Sequence, residues 1–365
     1  MITLDGSYGE GGGALVRVAL ALSAFTGKPF RVHHIRAGKS DGGGLKPQHL
    51  EAIKALQKIC GAQTNEIQLG SQELEFTPGK VKGGVYEIDI KTAGSITLLL
   101  QALLLPCLFA PRKVTLRVTG GTCGKWQASG DYLQNLLLPH LQRFVEHIEL
   151  RILKRGYYPQ GGGQVELHIT PRFFRSSFPD ENSFLQELQH KCAKIFLMEA
   201  GKLEQIRGVI NLSAELEEKQ VGERIRKAAS DSLRKLAVPI NLRIEYVNSK
   251  SVGGECLLWA VFSTQGQVDF DNPVLLGGDA LLELGKRSEE VGKEAAEKLL
   301  KEITRGAAVD GHLADQLVPF MALLPGSVLQ TSVLTPHVLT NRYVVEHFLP
   351  VQFQSEERTL SVRGI

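Results

Sequence analysis

A glycine-rich run near the start of the chain contains the residues best suited to phosphate chemistry. Residues 5–13 read DGSYGEGGG, and an apolar stretch whose only charge is Arg17 follows them. Glycines let backbone N–H groups approach a ligand closely, and the N-terminus of a helix attracts anions. Glu10 would repel an anion unless a divalent cation lay between them, since hard cations bind carboxylate and phosphate oxygens together. Two interpretations therefore stay open: a metal-assisted phosphate loop, or an ordinary turn with a solvated glutamate.

A histidine near a predicted helix start offers a nucleophile. His337 follows Pro336 and precedes a helical pattern over residues 338–348. A neutral imidazole can attack phosphorus and carry the transferred group. A histidine in this position is more often a helix cap or a core residue than a catalyst, so the segment alone does not assign a nucleophile.

A second glycine-rich loop, residues 42–44, lies between basic residues. Arg36 follows a predicted strand, where ligand sites concentrate in layered α/β folds, and Lys46 stands at the start of the next helix. Gln48 and His49 lie in the first turn of that helix. These side chains suit phosphate groups, although a basic surface loop is the simpler interpretation of the segment taken alone.

Two predicted apolar helices carry polar residues. Gln101 interrupts one of them, and the start of the other contains His312, Asp315 and Gln316. Gln101 can be a satisfied core amide, and Asp315 can complement the helix dipole. Glycine-rich loops at strand ends and helix starts nevertheless recur in every predicted repeat. That recurrence favours one large anionic ligand contacted by several repeats together.

The composition is ordinary for a soluble globular protein of two domains. The chain has 365 residues, of which 43% are hydrophobic and 22% charged, with a net charge of +3. Five dispersed cysteines indicate reduced thiols, and the first residues lack the pattern of a signal peptide. The most apolar run, residues 95–110, is too short to cross a bilayer. We therefore expect a cytoplasmic protein with no membrane segment; the net charge permits nucleic-acid binding without arguing for it.

The periodicity predicts an α/β fold of layered α+β units. Residues 1–82 and 83–180 each read as a βαβαββ repeat, with predicted helices at 13–26, 46–60, 95–109 and 131–146. A change in composition over residues 173–190 predicts a domain boundary. Residues 181–274 are predicted to form an inserted α/β domain, and residues 275–365 a third repeat with helices at 286–303, 312–324 and 338–348.

Taken together, these segments resemble the RNA 3′-terminal phosphate cyclase family. The resemblance extends from residue 5 to residue 350 and rests on DGSYGEGGG with Arg17, IRAGK, GGLKPQHL, KTAGSITLLLQ, GGT, DYL, GYYPQGGG, HLADQL and PHVLTN with VEHFLP. It implies three repeats like the C-terminal domain of the third bacterial initiation factor, and a small inserted domain with a thioredoxin-like topology. Both expectations agree with the periodicity.

The resemblance also implies a reaction. Enzymes of this family, a class of ligase, use ATP to convert an RNA 3′-phosphate into a 2′,3′-cyclic phosphodiester, through a covalent histidine–AMP and an RNA–adenylate. By residue match, His337 is the nucleophile and Glu10 binds a divalent metal, Mg or Mn. The matched residues for the phosphates and the RNA end are Arg17, Arg36, Lys46, Gln48 and His49, and those for ATP are Gln101, His312, Asp315 and Gln316. RNA 3′-phosphate ends are the implied partner, and no obligate protein partner is expected.

Two positions depart from the family pattern. Ala128 stands where many members have a proline that packs on the adenine, so His312 or Trp126 is expected to supply the stacking. Lys46 stands where members often have arginine, and a lysine cannot form the bidentate phosphate contact that an arginine makes. The contact with the RNA end is therefore expected to be weaker or rearranged.

Three other classes of protein compete with this interpretation. A cyclase-like protein of ribosome biogenesis shares the fold but lacks the nucleophilic histidine, and His337 with Thr340 and Asn341 argues against it. An enolpyruvyl transferase, built from related repeats, needs neither an adenylate nor such a histidine. An RNA-binding module without chemistry has no use for a carboxylate at Glu10.

Overall fold

The computed structural model describes residues 1–40, 42–264 and 266–365. The chain begins with strand β1 (Ile2–Asp5) and helix α1 (Ala14–Thr26), followed by β2 (Phe30–His33), α2 (Pro47–Cys60), β3 (Gln63–Thr64) and β4 (Leu74–Thr77). The strands form a sheet in the order β1-β2-β4-β3. β1 and β2 are parallel, and the other neighbours are antiparallel.

The next elements form a second sheet of the same design. They are β5 (Gly84–Asp89), α3 (Ile96–Leu108), β6 (Val114–Gly120), a helical stretch made of α4 (Gly130–Tyr132), a π-helical turn (Leu133–Leu137) and α5 (Leu138–Leu141), then β7 (Val145–Lys154) and β8 (Gly163–Pro171). The strand order is β5-β6-β8-β7. β5 and β6 are parallel, and the remaining pairs are antiparallel.

A different sheet follows. After α6 (Glu181–Lys191) and the two-residue strand β9 (Phe196–Leu197) come β10 (Lys202–Ser213), α7 (Val221–Leu233), β11 (Ile240–Val247), β12 (Gly254–Ser263), β13 (Leu275–Leu281) and α8 (Ser288–Thr304). β10 to β13 form a sheet in the order β11-β10-β12-β13, on which α7 and α8 pack. The parallel pair here is β10 with β11.

The C-terminal elements return to the first design. They are α9 (Gly311–Met321), β14 (Val328–Gln330), α10 (Pro336–Phe348), β15 (Val351–Glu356) and β16 (Thr359–Gly364). Their strands join β9 in the order β9-β14-β16-β15, again with one parallel pair followed by antiparallel neighbours. Within the described residues, three of the four sheets therefore have the same strand order and directions.

The mixed α/β architecture agrees with the sequence prediction, but the predicted boundary at residues 274 and 275 does not coincide with the division between sheets. β13 pairs with β12, and α8 packs on β13, so both lie with the sheet of β10. Two glycines in the middle of β13 obscure its strand pattern. One of them, Gly278, allows the close approach of α8, because a Cβ there would lie 2.5 Å from the Leu299 backbone nitrogen.

The segment predicted as a domain boundary contains α6. Asp180 caps this helix by accepting from the Ser183 backbone N–H, and the helix buries Phe184, Leu185 and Leu188. Its polar exposed face resembles a linker in composition. The apolar residues at helical spacing pack it onto the body of the protein.

Helix α1 lies at the centre of the core. It is buried along its whole length, Arg17 included, and packs against α3, α10 and α2. Its N-terminus follows the first glycine-rich loop directly, so the core of the fold fixes the position of that loop. Among the described residues, no helix combines the length and apolar character needed to cross a membrane.

Candidate functional site

A cavity of 230 Å³ opens between α1, α3, α9 and α10. Apolar side chains form much of its wall, as in most small-molecule sites. The polar side chains that line it come from four helices and the loop before α4: Arg17, Gln101, Gln127, His312, Asp315, Gln316, His337 and Asn341.

His337 and Glu10 form an ion pair at the edge of this cavity. His337 Nδ1 lies 3.0 Å from Glu10 Oε1. This hydrogen bond raises the pKa of His337 against the opposing effect of burial, and it lowers the pKa of Glu10. When the imidazole is neutral and keeps its proton on Nδ1, the Glu10 carboxylate holds that proton and the lone pair is on Nε2. The pair therefore leaves the Nε2 lone pair available.

The helix start holds His337 in place. Thr335 caps α10, its hydroxyl accepting from the Val338 backbone N–H at 3.3 Å, and Pro336 occupies the first turn. The His337 side chain is 41% exposed. It is therefore neither the cap nor a core residue, which removes both ordinary interpretations of this histidine.

The first glycine-rich loop fits closely around Glu10. A Cβ at Gly12 would collide with Glu10 Oε1, and a Cβ at Gly9 would lie 2.5 Å from Thr340 Oγ1 on α10. Glycine at both positions lets the carboxylate turn toward α10. One carboxylate oxygen faces His337, and the other can bind a hard cation that completes its shell with phosphate oxygens and water. The residues present thus fit a divalent ion.

Arg17 is a buried cation at the inner end of the site. Its Nε donates to Gln101 Oε1 at 2.8 Å, and its side chain has only a small exposed fraction. Burial lowers the pKa of Arg17 to about 10, so the guanidinium stays charged at neutral pH. The carboxylates of Glu10 and Asp315 act on Arg17 electrostatically, and a bound anion would offset more of the cost of burying its charge.

His49 lies beside Arg17 and completes a pair of donors. Lys46 N–H donates to His49 Nδ1 at 3.0 Å, and burial lowers the pKa of His49 well below its usual value. The imidazole is therefore neutral and carries its hydrogen on Nε2. That nitrogen lies 3.5 Å from Arg17 Nη1. Both atoms are hydrogen-bond donors, so one acceptor, such as a phosphate oxygen, can accept from both.

The remaining basic residues lie on the same side of Arg17. The positive charges of Arg36 and Lys46 both lower the pKa of His49, after burial and Arg17, which places them within electrostatic reach. Arg36 is half-buried and adopts a left-handed backbone conformation with φ 55°. Gln48 Oε1 would lie 3.8 Å from a Cβ at Gly94, in the loop before α3. These residues extend the site beyond the cavity.

Two polar groups face the cavity from α9 and α10. Burial raises the pKa of Asp315 to about 7. Asn341 Nδ2 donates to the Asp315 backbone carbonyl at 2.7 Å. Asn341 Oδ1 is buried and, within the described ranges, has no hydrogen-bond partner. The cavity therefore contains an acceptor that a ligand donor can satisfy.

Asp310 fixes the start of α9. Its Oδ1 accepts from the backbone N–H groups of His312 and Leu313 and from the Tyr132 hydroxyl at 2.7 Å. Its Oδ2 accepts from the Gly277 N–H at 2.9 Å. Asp310 therefore joins the start of α9, which carries His312 and Asp315, to α4 and to β13.

The cavity mouth contains Trp126. Its side chain is 95% exposed, its backbone has φ 60°, and it lines the opening with Gln127 and Ala128. The Ala128 carbonyl accepts from Thr97 Oγ1 at 2.6 Å, which ties this loop to α3. An exposed indole beside an apolar cavity can stack on a planar ligand.

Most of the predicted site residues come together. Arg17, Gln101, His312, Asp315, Gln316 and His337 line the cavity. Glu10 and His49 adjoin it through His337 and Arg17, whereas Arg36, Lys46 and Gln48 lie on the α2 side, outside the cavity wall. Asn341 also lines the cavity. The sequence pointed to it as part of the His337 segment but gave it no ligand contact, although it follows His337 by four residues and so shares its helix face.

Comparisons with known proteins identify the family of the chain. A family model described as RNA 3′-terminal phosphate cyclase matches residues 8–355. The RNA 3′-terminal phosphate cyclases of Pyrococcus furiosus and Methanopyrus kandleri are each 40% identical to the chain, over 97% and 100% of it and 95% and 99% of their own lengths. That of Archaeoglobus fulgidus is 39% identical over 96% of both chains.

Proposed function

Because the chain belongs to the RNA 3′-terminal phosphate cyclase family, we propose that it uses ATP to convert an RNA 3′-terminal phosphate into a 2′,3′-cyclic phosphodiester. The observation that carries the proposal is the Glu10–His337 pair, which presents imidazole Nε2 beside a cavity with a buried cation at its inner end. A binding protein would need neither the nucleophile nor its carboxylate partner.

The first step forms a covalent adenylate. His337 Nε2 attacks the α-phosphorus of ATP, the N–P bond forms, and the bond to the β-phosphate oxygen breaks to release pyrophosphate. Glu10 holds the Nδ1 proton throughout and stabilises the positive charge that the ring gains. Protein and AMP are then joined as a phosphoramidate.

The second step transfers AMP to the RNA end, and the third step closes the cyclic phosphodiester. An oxygen of the RNA 3′-phosphate attacks the same phosphorus, which frees His337 and leaves AMP on the RNA end. The neighbouring 2′-hydroxyl then attacks the 3′-phosphorus, loses its proton to solvent, and expels AMP. The 2′-hydroxyl is required, so the terminal nucleotide must be a ribonucleotide.

The cavity accommodates the nucleoside part of ATP. Asp315 and Asn341 Oδ1 offer acceptors to the exocyclic amine and to sugar hydroxyls, with Gln101 and Gln316 as further polar contacts. Trp126 and His312, at the opening, supply the planar groups that stack on the base where the chain has Ala128.

The phosphates meet the basic side of the site. Arg17 and His49 offer two convergent donors, and Arg36, Lys46 and Gln48 receive the RNA end. Glu10 would hold a divalent ion, Mg or Mn, which when bound neutralises charge on the triphosphate. Positioning and charge neutralisation are the main demands of phosphoryl and nucleotidyl transfer.

We infer a matching domain organisation. The three sheets of like order are three copies of one unit, and the sheet of β10 to β13 with α7 and α8 is an insertion between β9 and α9. The order β-α-β-β-β-α of that insertion supports a thioredoxin-like topology.

The test uses an RNA oligonucleotide with a labelled 3′-phosphate. With ATP and magnesium, the phosphate should become resistant to phosphatase, and AMP and pyrophosphate should form in equal amounts. A matched oligonucleotide with a 2′-deoxy end should accept AMP and stop there. A 3′-hydroxyl end should not react. Unchanged phosphatase sensitivity of the ribonucleotide substrate would contradict the proposal.

A further inference from the structure

Three side chains outside the cavity converge at the edge of the first sheet. Asp5 ends β1 and His33 ends β2, and the parallel register pairs the two residues. His34 follows directly. One ligand atom from each of Asp5, His33 and His34 lies within 4.8 Å of the others. A carboxylate and two imidazoles are the donor set that first-row transition metals prefer.

The backbone at His34 explains why two consecutive histidines face one point. Successive side chains of a strand point to opposite faces. His34 adopts a left-handed conformation, φ 55°, which breaks this alternation. The two rings therefore lie together, with centroids 4.7 Å apart. This conformation is uncommon for residues with a side chain, and histidine is one of the residue types enriched in it.

The spacing suits a small ion, because the ligand atoms of the three residues lie within 4.8 Å of one another and two ligands bound at about 2.1 Å in a tetrahedral site stand roughly 3.4 Å apart. The His34 ring also lies against the carboxylate, with Nδ1 3.4 Å from Asp5 Oδ1. Within the described part of the chain, the hydrogen bonds to this carboxylate all reach Oδ1, from the Ser7 N–H, the Ser7 hydroxyl and His34. Oδ2 is left to bind a cation.

The surroundings leave room for a further ligand. The side chains of His34 and Asp5 are 60% and 46% exposed, so water can complete the coordination. We propose that Asp5, His33 and His34 form a binding site for a zinc-like divalent transition metal, separate from the Glu10–His337 pair. Such an ion joins the start of the loop that carries Glu10 to the start of the loop that carries Arg36.

The experiment measures metal binding rather than RNA chemistry. The protein is the full chain carrying His337→Ala, so that the site at Glu10 offers no histidine ligand. Binding of Zn²⁺ is measured by calorimetric titration, and binding of Co²⁺ by its visible absorption. On this background we compare His34→Asn and Asp5→Asn. Asparagine tolerates the left-handed conformation of His34. The control is His147→Asn, because His147 Nε2 lies 3.7 Å from Glu149 Oε2 in an exposed pair that has no third candidate metal ligand among the residues that the structure describes.

We expect one Zn²⁺ per chain and an intense Co²⁺ band in the background protein and in the His147 variant. His34→Asn and Asp5→Asn should each weaken Zn²⁺ binding by about tenfold or more and remove the band, with circular dichroism unchanged. Binding as tight in His34→Asn as in the control would overturn the site. So would the absence of a stoichiometric site in the background protein, which would reduce the cluster to a His34–Asp5 ion pair.

Discussion

Glu10 and His337 lie at opposite ends of the chain and meet at 3.0 Å, Oε1 to Nδ1, where the first glycine-rich loop faces the start of α10. The contact depends on Gly9 and Gly12, which leave space for Thr340 and for the carboxylate itself. In the proposed mechanism, this one contact sets both the tautomer of the nucleophile and the position of the carboxylate that would bind the metal.

The rate of enzyme adenylation should rise with pH. The hydrogen bond to Glu10 raises the pKa of His337, so the ring is protonated and lacks a free lone pair below that pKa. Glu10→Gln removes this effect and should move the rise to lower pH. Single-turnover adenylation at saturating metal, without RNA, measures the profile. A rate that falls with rising pH, or an unchanged midpoint in Glu10→Gln, would contradict the pairing.

Glu10→Gln should also raise the metal concentration needed for half-maximal adenylation. Loss of a ligand carboxylate should cost about tenfold or more in metal affinity. Use of a preformed RNA–adenylate should suffer less, because the triphosphate is then absent. Glu87→Gln is the control, since Glu87 is a largely exposed partner of Arg117. If both variants needed the same metal concentration for half-maximal adenylation, Glu10 would act only as a hydrogen-bond partner of His337.

Gly13→Ala should impair the reaction without unfolding the protein. The backbone at Gly13 has φ −74°, which alanine adopts freely. Its Cβ, however, would lie 2.5 Å from His49 Nε2 and 2.8 Å from Arg17 Nη1, so the donor pair must separate. We expect a loss of roughly tenfold or more in kcat, since small displacements at a reacting centre are costly. Gly38→Ala is the control, because a Cβ there meets nothing within 4 Å. If the Gly13 and Gly38 variants were equally active, the pair of Arg17 and His49 would have no part in the mechanism.

Arg36→Ala should slow AMP transfer to RNA more than formation of the His337 adduct. Charge-assisted contacts to phosphate contribute about 1.5–3 kcal/mol, roughly ten- to a hundredfold in rate. The two steps are separated by isolating the adenylated protein before RNA is added. Arg31→Ala serves as the control, since Arg31 is exposed and paired with Glu73. If both steps slowed equally in Arg36→Ala, Arg36 would belong to the ATP triphosphate instead.

Much of the site could be predicted from the sequence because its residues lie at helix starts. Caps, prolines and glycines mark those starts locally, as Thr335 and Pro336 do for His337. The polar residues of α9 stand in its first two turns for the same reason. The resemblance to a family then supplied the link between loops that are distant along the chain.

Other features depended on tertiary structure. β9 has two residues, and its partner β14 follows the whole insertion in the sequence, so no local sequence pattern predicts this strand. The two glycines of β13 obscure its strand pattern, yet close packing requires them, because a Cβ at Gly278 would meet α8 and a Cβ at Gly277 would meet Tyr132 and Leu136. The donor pair of Arg17 and His49 arises from two helices, and its geometry depends on burial and on a tautomer set by the Lys46 N–H.

The most direct test of the central claim is the site of covalent AMP. The protein is incubated with α-labelled ATP and magnesium in the absence of RNA, digested at neutral pH, and its labelled peptide is sequenced. We predict one acid-labile AMP on the peptide that contains His337, none in His337→Ala, and normal labelling in His347→Ala. His347 lies on the same helix, with its ring tilted against that of Tyr343. Stable label in His337→Ala, or label on another residue of the wild-type chain, would contradict the assignment of His337 as the nucleophile.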